Sequence, residues 1–116
     1  MSQALSTTVV IANAASLSAA GSGKLNKIKA IGIPAAWTAA ALTFQVSKDN
    51  STFMNLYDAA GEVSIASAAV VASGVVGLSD NLQAILGEWP YFKIRSGTAG
   101  TPVAQGADRT LTVYLG

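Results

Sequence analysis

Trp37-Thr-Ala-Ala-Ala-Leu42-Thr-Phe44-Gln-Val46-Ser-Lys-Asp49-Asn-Ser-Thr-Phe53-Met-Asn-Leu56-Tyr57 is the stretch that decides the fold. Leu42, Phe44 and Val46 alternate with Thr43, Gln45 and Ser47, so an extended chain puts its large apolar groups on one face and its polar groups on the other. That is the pattern of a half-buried strand. Lys48 to Thr52 follows as a cluster of turn formers, in which Asp49 and Asn50 bond their own backbone or take the left-handed conformation, and Phe53 to Tyr57 resumes an apolar segment. The stretch predicts a β-hairpin with Leu42, Phe44, Val46, Phe53 and Leu56 in the core, and with Trp37 plugging the end of that core.

The same reading extends outward. Ser6 to Ala12 is rich in β-branched residues and predicts a first strand. Ala14 to Lys24 mixes Ala and Leu with Ser16, Ser18, Gly21, Ser22 and Gly23, which predicts a loop with at most one helical turn. In Lys27 to Ile33 the lysines face away from Ile28, yet Ile31 falls on the lysine side, so the strand needs a bulge or two buried faces. Pro34 ends it, because proline cannot donate to a ladder. Val63 to Ala66 and Val70 to Leu78 read as strands, the second broken at Gly74. Asp80 to Leu86, capped by Ser79, reads as a short helix with Leu82, Ile85 and Leu86 on one side. Tyr91 to Ser96 and Arg109 to Leu115 alternate again and place Phe92, Ile94, Leu111 and Val113 inward. Many short strands, turn signals every ten or so residues and no long helix predict an all-β chain. The expected form is an antiparallel β-sandwich of jelly-roll type with at most one or two short helical turns. Residues 1–24 are expected as an N-terminal strand or arm with an Ala/Ser/Gly-rich loop, and residues 25–116 as the sandwich domain.

A chain of 116 residues holds one domain. It is 51% hydrophobic and only 11% charged, against about 25% charged in an average domain. Such a charge deficit implies that part of the exterior is covered by other protein, either further copies or a partner. Seven basic and six acidic residues are scattered, and the densest basic group is Lys24, Lys27 and Lys29. Phosphate neutralisation needs more, so no nucleic-acid partner is expected. Without Cys there are no disulfides or thiolate sites, and without His the commonest general base is missing. The N-terminal stretch lacks the positive start and continuous apolar middle of a secretory signal. Val63 to Leu78 is shorter than the roughly 18 residues of a membrane span and is broken by Ser64, Ser67, Ser73, Gly74 and Gly77, so no membrane contact is expected.

Candidate chemistry is sparse. Paired carboxylates about 5 to 10 Å apart hydrolyse glycosides, but Asp49, Asp58, Glu62, Asp80, Glu88 and Asp108 all lie in or beside predicted turns. The Ser47-Lys-Asp49-Asn-Ser51 run offers side-chain oxygens to calcium without the acidic density of a dedicated loop, and a hairpin turn accounts for it. Gly97 to Gly100 is glycine-rich like a phosphate-binding loop but lacks the Gly-Lys-Ser/Thr ending and a following helix. Arg95, Asp108 and Arg109 are expected as a surface ion pair beside the last strand. Trp37, Trp89, Tyr57, Tyr91 and Tyr114 are expected to pack in the core or an interface rather than as a sugar platform. The sequence therefore predicts no enzyme, no catalytic residue, no cofactor and no metal.

At Pro34-Ala-Ala-Trp37, Leu42-Thr-Phe-Gln-Val-Ser47, Phe53-Met-Asn-Leu-Tyr-Asp58, Phe92-Lys-Ile-Arg-Ser-Gly-Thr98 and Gln105-Gly-Ala-Asp-Arg109, the chain resembles small uncharacterised structural proteins of tailed bacteriophages, over residues 28 to 115. Its middle is also similar to galactose-binding-like jelly rolls, though the polar binding residues of those modules have no match here. The resemblance implies a virion component, a head decoration or cement protein made in the host cytoplasm and bound to the outside of the capsid. Its partners would be the major capsid protein and further copies of itself, in a trimer, with the Ala-rich N-terminal segment as an arm. The alternatives are a carbohydrate- or receptor-binding module of a phage head or tail fibre, or a tail or neck component.

Overall fold

The computed structural model describes residues 5–23 and 26–116, so residues 1–4 of the expected arm, and Lys24, lie outside the described residues. Eleven strands follow one another: β1 (Leu5–Ile11), β2 (Gly21–Ser22), β3 (Ile28–Gly32), β4 (Leu42–Ser47), β5 (Met54–Asn55), β6 (Tyr57–Asp58), β7 (Gly61–Glu62), β8 (Ser64–Ile65), β9 (Val75–Gly77), β10 (Tyr91–Ser96) and β11 (Arg109–Leu115). A 3-10 turn at Ser67–Ala69 and one helix, α1 (Asp80–Gly87), complete the described elements. The fold is mostly β, and the strand pairs are antiparallel.

Sheet A has the order β1-β11-β3-β9, and sheet B the order β2-β10-β4-β5, with β8 also on β4. The inward residues of both meet in one core. Val9, Ile11, Ile31, Leu111 and Val113 come from sheet A, and Leu42, Phe44, Val46, Phe92 and Ile94 from sheet B. Leu82 and Leu86 of α1 close one side, and the Ser79 hydroxyl caps that helix by accepting from the Leu82 N–H at 3.2 Å. Gly21 lies against the core where any Cβ would stand 2.7 Å from the Phe92 ring and 2.8 Å from Val9, so only glycine lets β2 pass there.

The register problem in β3 is solved by a bulge. Tyr114 pairs with Ala30, but Leu115 pairs with Ile28, leaving Lys29 as the extra residue. Ile28 and Ile31 can then both be buried although they lie three apart.

The hairpin is present but short. Asn50 takes φ 60°, the left-handed turn conformation. Only Met54 and Asn55 pair with β4, and the chain then leaves the sheet as the small β6–β7 hairpin before β8 returns to the Leu42 end of β4. Leu56 and Val63 hold that excursion closed, the Val63 N–H donating to the Leu56 carbonyl at 3.1 Å. Phe53, expected inside, is half-buried instead. It precedes the paired residues, so no ladder turns it inward, and its ring lies 4.5 Å below the Lys93 ammonium. Trp37 is partly buried against the core, and its buried Nε1 meets no acceptor among the described residues.

The expected first strand is present. Residues 5–23 belong to the body: β1 pairs with β11 along all seven residues, β2 with β10, and Leu17 bridges Arg95. Val9 and Ile11 are buried there, and that burial ties the segment down. The expected strand over Val70 to Leu78 is reduced to Val75–Gly77, because Ser73 takes a positive φ and the Gly74 N–H turns back to the Val71 carbonyl.

Candidate functional site

The outer faces of the two sheets differ in kind. On sheet B, Lys93 pairs with Gln45 and Arg95 with Thr43. Arg95 is only 7% exposed, because the β6–β7 hairpin and the 97–102 loop fold over it. Its guanidinium donates to Asn55 Oδ1 at 2.6 Å and Thr43 Oγ1 at 3.3 Å, and pairs with Glu62 at 3.5 Å. The same Glu62 carboxylate accepts from the Ala99 N–H at 3.0 Å. The glycine-rich loop does hold an anion with its backbone, but the anion is the chain's own Glu62. Gly97 is fixed at φ 90°, where a Cβ would lie 2.6 Å from the Thr101 carbonyl oxygen.

Arg95, Asp108 and Arg109 do not come together. Arg95 lies in sheet B, Asp108 accepts from the Asn13 N–H, and Arg109 donates to Gln105 Oε1. Gln105 is buried and also bonds both the N–H and the C=O of Thr38, which ties the 35–41 corner to the last loop. Nor do the aromatics form a platform. Tyr57 sits on the β6–β7 hairpin, Tyr91 on sheet B and Tyr114 on sheet A. Trp89 lines a groove of about 240 Å³ with Lys48, Asp49, Thr52 and Met54, and the Lys48 ammonium lies 5.6 Å from its ring.

Asp49 does turn chemistry. Its Oδ1 accepts from the Ser51 and Thr52 N–H groups, both at 2.9 Å, and from the Ser47 hydroxyl. The Thr52 and Ser51 N–H groups hold its carboxyl below the ordinary value of 3.8. A carboxylate whose folded pKa is depressed stabilises above its unfolded pKa, and that stability is lost as pH falls through the folded value. The melting-temperature gap between wild type and Asp49→Asn is therefore expected to be small, constant from neutral pH to about 5, and to close below 3.8. Thermal melts across that range check it, and a gap that widens in acid would be wrong in sign.

Sheet A presents the opposite surface. Its outward residues form rows across the strands: Ser6, Tyr114, Ala30 and Gly77; Thr8, Thr112, Gly32 and Val75; and Val10 with Thr110. None is charged. The Tyr114 ring lies 3.4 Å from where a Gly32 Cβ would be, so it lies along the sheet and fills the glycine gap. Strands about 4.8 Å apart and rows about 6.8 Å apart give a face of roughly 300–400 Å². The bulged Lys29 stands exposed at the β11 C-terminal end of this face.

Both edges of this sheet come from charge-free sequence, residues 1–23 and 63–79. β1 supplies one edge and β9 the other. Edge strands are usually blunted by proline or by charged groups such as Lys, and these two carry neither. Four of the six exposed large apolar side chains, Leu5, Val10, Val71 and Val75, lie on or beside them. Those two runs were the sequence signal for the face, and they stand out only once the topology brings them into one sheet.

No family model, curated protein or solved structure matches the chain, so the functional reading rests on this geometry and on the resemblance carried by the sequence.

Proposed function

We propose that the chain is a virion structural protein, a head decoration or cement protein that docks on the outside of an assembled capsid through the outer face of sheet A, and that its two sheets form a sandwich of jelly-roll type. The single observation that carries this is the segregation of charge. Outward positions on sheet B include Lys93 and Arg95, whereas the ten ladder positions on the outside of sheet A, in the rows given above, include none. A flat face of Thr, Ser, Ala, Gly and Val, with the Tyr114 ring laid along it, loses little side-chain entropy when covered and leaves no unpaired charge behind. Its area is about half of the roughly 800 Å² per partner in a standard interface, so one contact is modest and repetition over a shell multiplies it. The separation of Tyr57, Tyr91, Tyr114 and Trp89 disfavours the carbohydrate-binding alternative.

Co-sedimentation with undecorated capsids tests the reading. Wild type is expected to pellet with the shells, while Gly77→Glu and Thr110→Glu bury a carboxylate at opposite ends of the face and lose binding by about tenfold or more. Gly77 has open space around a Cβ, and Thr110 is exposed, so neither change should move the melting temperature. Wild type that stays in the supernatant, or variants that bind as well as wild type, would refute the assignment.

A further inference from the structure

The first half of β1 is an exposed sheet edge. Two hydrogen bonds outside the ladders fix which backbone groups point where. The Ile33 N–H donates to the Gly74 carbonyl, so in an alternating antiparallel sheet residues 31, 112 and 114, and then 5, 7 and 9, are the ones that bond their neighbours in turn. Ser6, Thr8 and Val10 must then point away from β11. The Ala19 N–H donating to the Val10 carbonyl at 3.1 Å agrees, and it closes the edge at that point. Ser6 and Thr8 are left with N–H and C=O groups aimed outward from an uncharged strand. Leu5 has the parity of the core-facing residues, yet it is 55% exposed.

We infer that β1 pairs antiparallel with β1 of a second copy, about a two-fold axis perpendicular to sheet A. Setting Ser6 against Thr8 of the second copy, and Thr8 against its Ser6, forms four main-chain hydrogen bonds around Thr7. The strand is self-complementary because it carries no charge to repel its own image, and Ser–Thr pairs across strands are favourable. The second copy also covers Leu5, beyond which no other element lies among the described residues. Proline and charged groups, which would block such pairing, are missing from the whole strand.

The symmetry has a consequence for docking. An axis perpendicular to the sheet keeps both outer faces on the same side, so two faces of roughly 300–400 Å² each become one of roughly 600–800 Å². That reaches the area per partner of a standard interface. The pairing itself stands on the edge geometry; only its use in two-point docking rests on the proposed function. The association is two-fold, unlike the trimer that the resemblance implies.

Sedimentation equilibrium of the full chain from about 10 µM to 1 mM tests it, since a short strand edge is expected to bind in that range. Wild type should shift from 11.7 kDa to twice that mass. Thr8→Pro removes an outward N–H that the ladder does not use, one per copy, and should weaken pairing roughly tenfold or more. Leu5→Lys leaves the backbone and the outer face intact but sets a charge against Val9 of the second copy, which this register places opposite it, and should do the same; it also answers the question if Thr8→Pro misfolds. In hydrogen exchange the Ser6 and Thr8 amides should be protected at high concentration in wild type and not in Leu5→Lys. Monomer mass at about 1 mM, a threefold mass, or dimers that persist in Leu5→Lys would overturn the inference. Capsid binding is read separately with Gly77→Glu, so failure of the dimer leaves the docking face standing and the reverse also holds.

Discussion

Phe44→Ala is expected to lower stability by about 3–5 kcal/mol, the largest effect of any single truncation in this chain. Phe44 is fully buried in the middle strand of sheet B, between β10 and β5, and it is the largest of the side chains with no exposure. Removing its ring deletes contacts with both sheets and leaves a cavity that rigid ladders on either side cannot close. Domains of this size hold about 5–15 kcal/mol in total, so the variant should retain little native population on mild heating. Phe53→Ala is the matched control. That ring is half-buried outside the core with a lysine over it, and its loss should cost about 1 kcal/mol. Near-UV circular dichroism melts of the two variants check the pair. Equal losses would mean that the assignment of inner and outer faces in the hairpin is mistaken.

The contrast between these two phenylalanines shows how much of the fold was legible in the sequence. Where a strand is long and paired on both sides, as β4, β10 and β11 are, alternation finds the apolar inner face, but only β11 alternates in burial: Thr43, Ser47, Arg95 and Ser96 on the other face of β4 and β10 are buried as well. At Lys29 the parity of the isoleucines left a bulge or two buried faces open, and the structure takes the bulge. Phe53 and the stretch 70–74 were misread because apolar content without a ladder does not fix a direction. A turn residue at positive φ, such as Ser73, removes a segment from the sheet whatever its hydrophobicity. The first strand was legible in its β-branched residues, but its partner was not, because β1 pairs with the opposite end of the chain.

The candidate site was less legible, and for a related reason. A face that works by lacking charge leaves no motif, only two silent runs far apart in sequence, and the sheet order β1-β11-β3-β9 is needed to put them on one surface. Gln105 and Glu62 were invisible as structural residues because their partners include backbone groups of distant loops. Arg95 stood at an outward position of an alternating strand, and alternation alone says that such a residue meets water.

Its burial makes Arg95 the subject of the second large effect. Arg95→Met is expected to lose about 2–3 kcal/mol, below the range for a fully enclosed pair because the Glu62 side chain keeps 18% of its surface in solvent. The methionine fills much of the stem's volume, so the loss reflects chiefly the carboxylate of Glu62 and the carbonyl of Asn55 left without their cation. Glu62→Gln alone should cost less, since an amide oxygen still accepts from the Ala99 N–H. In the double variant Arg95→Met with Glu62→Gln, no unpaired charge remains, and the combined loss should fall short of the sum by about 1 kcal/mol or more. Urea unfolding of the four proteins supplies the cycle. Strict additivity would mean that the two side chains do not stabilise each other and that the 97–102 loop is held by its backbone alone. Coupling would identify Glu62 as the group that fastens the β6–β7 hairpin and the glycine-rich loop onto sheet B, closing that face with the chain's own charges and leaving sheet A as the one open to a partner.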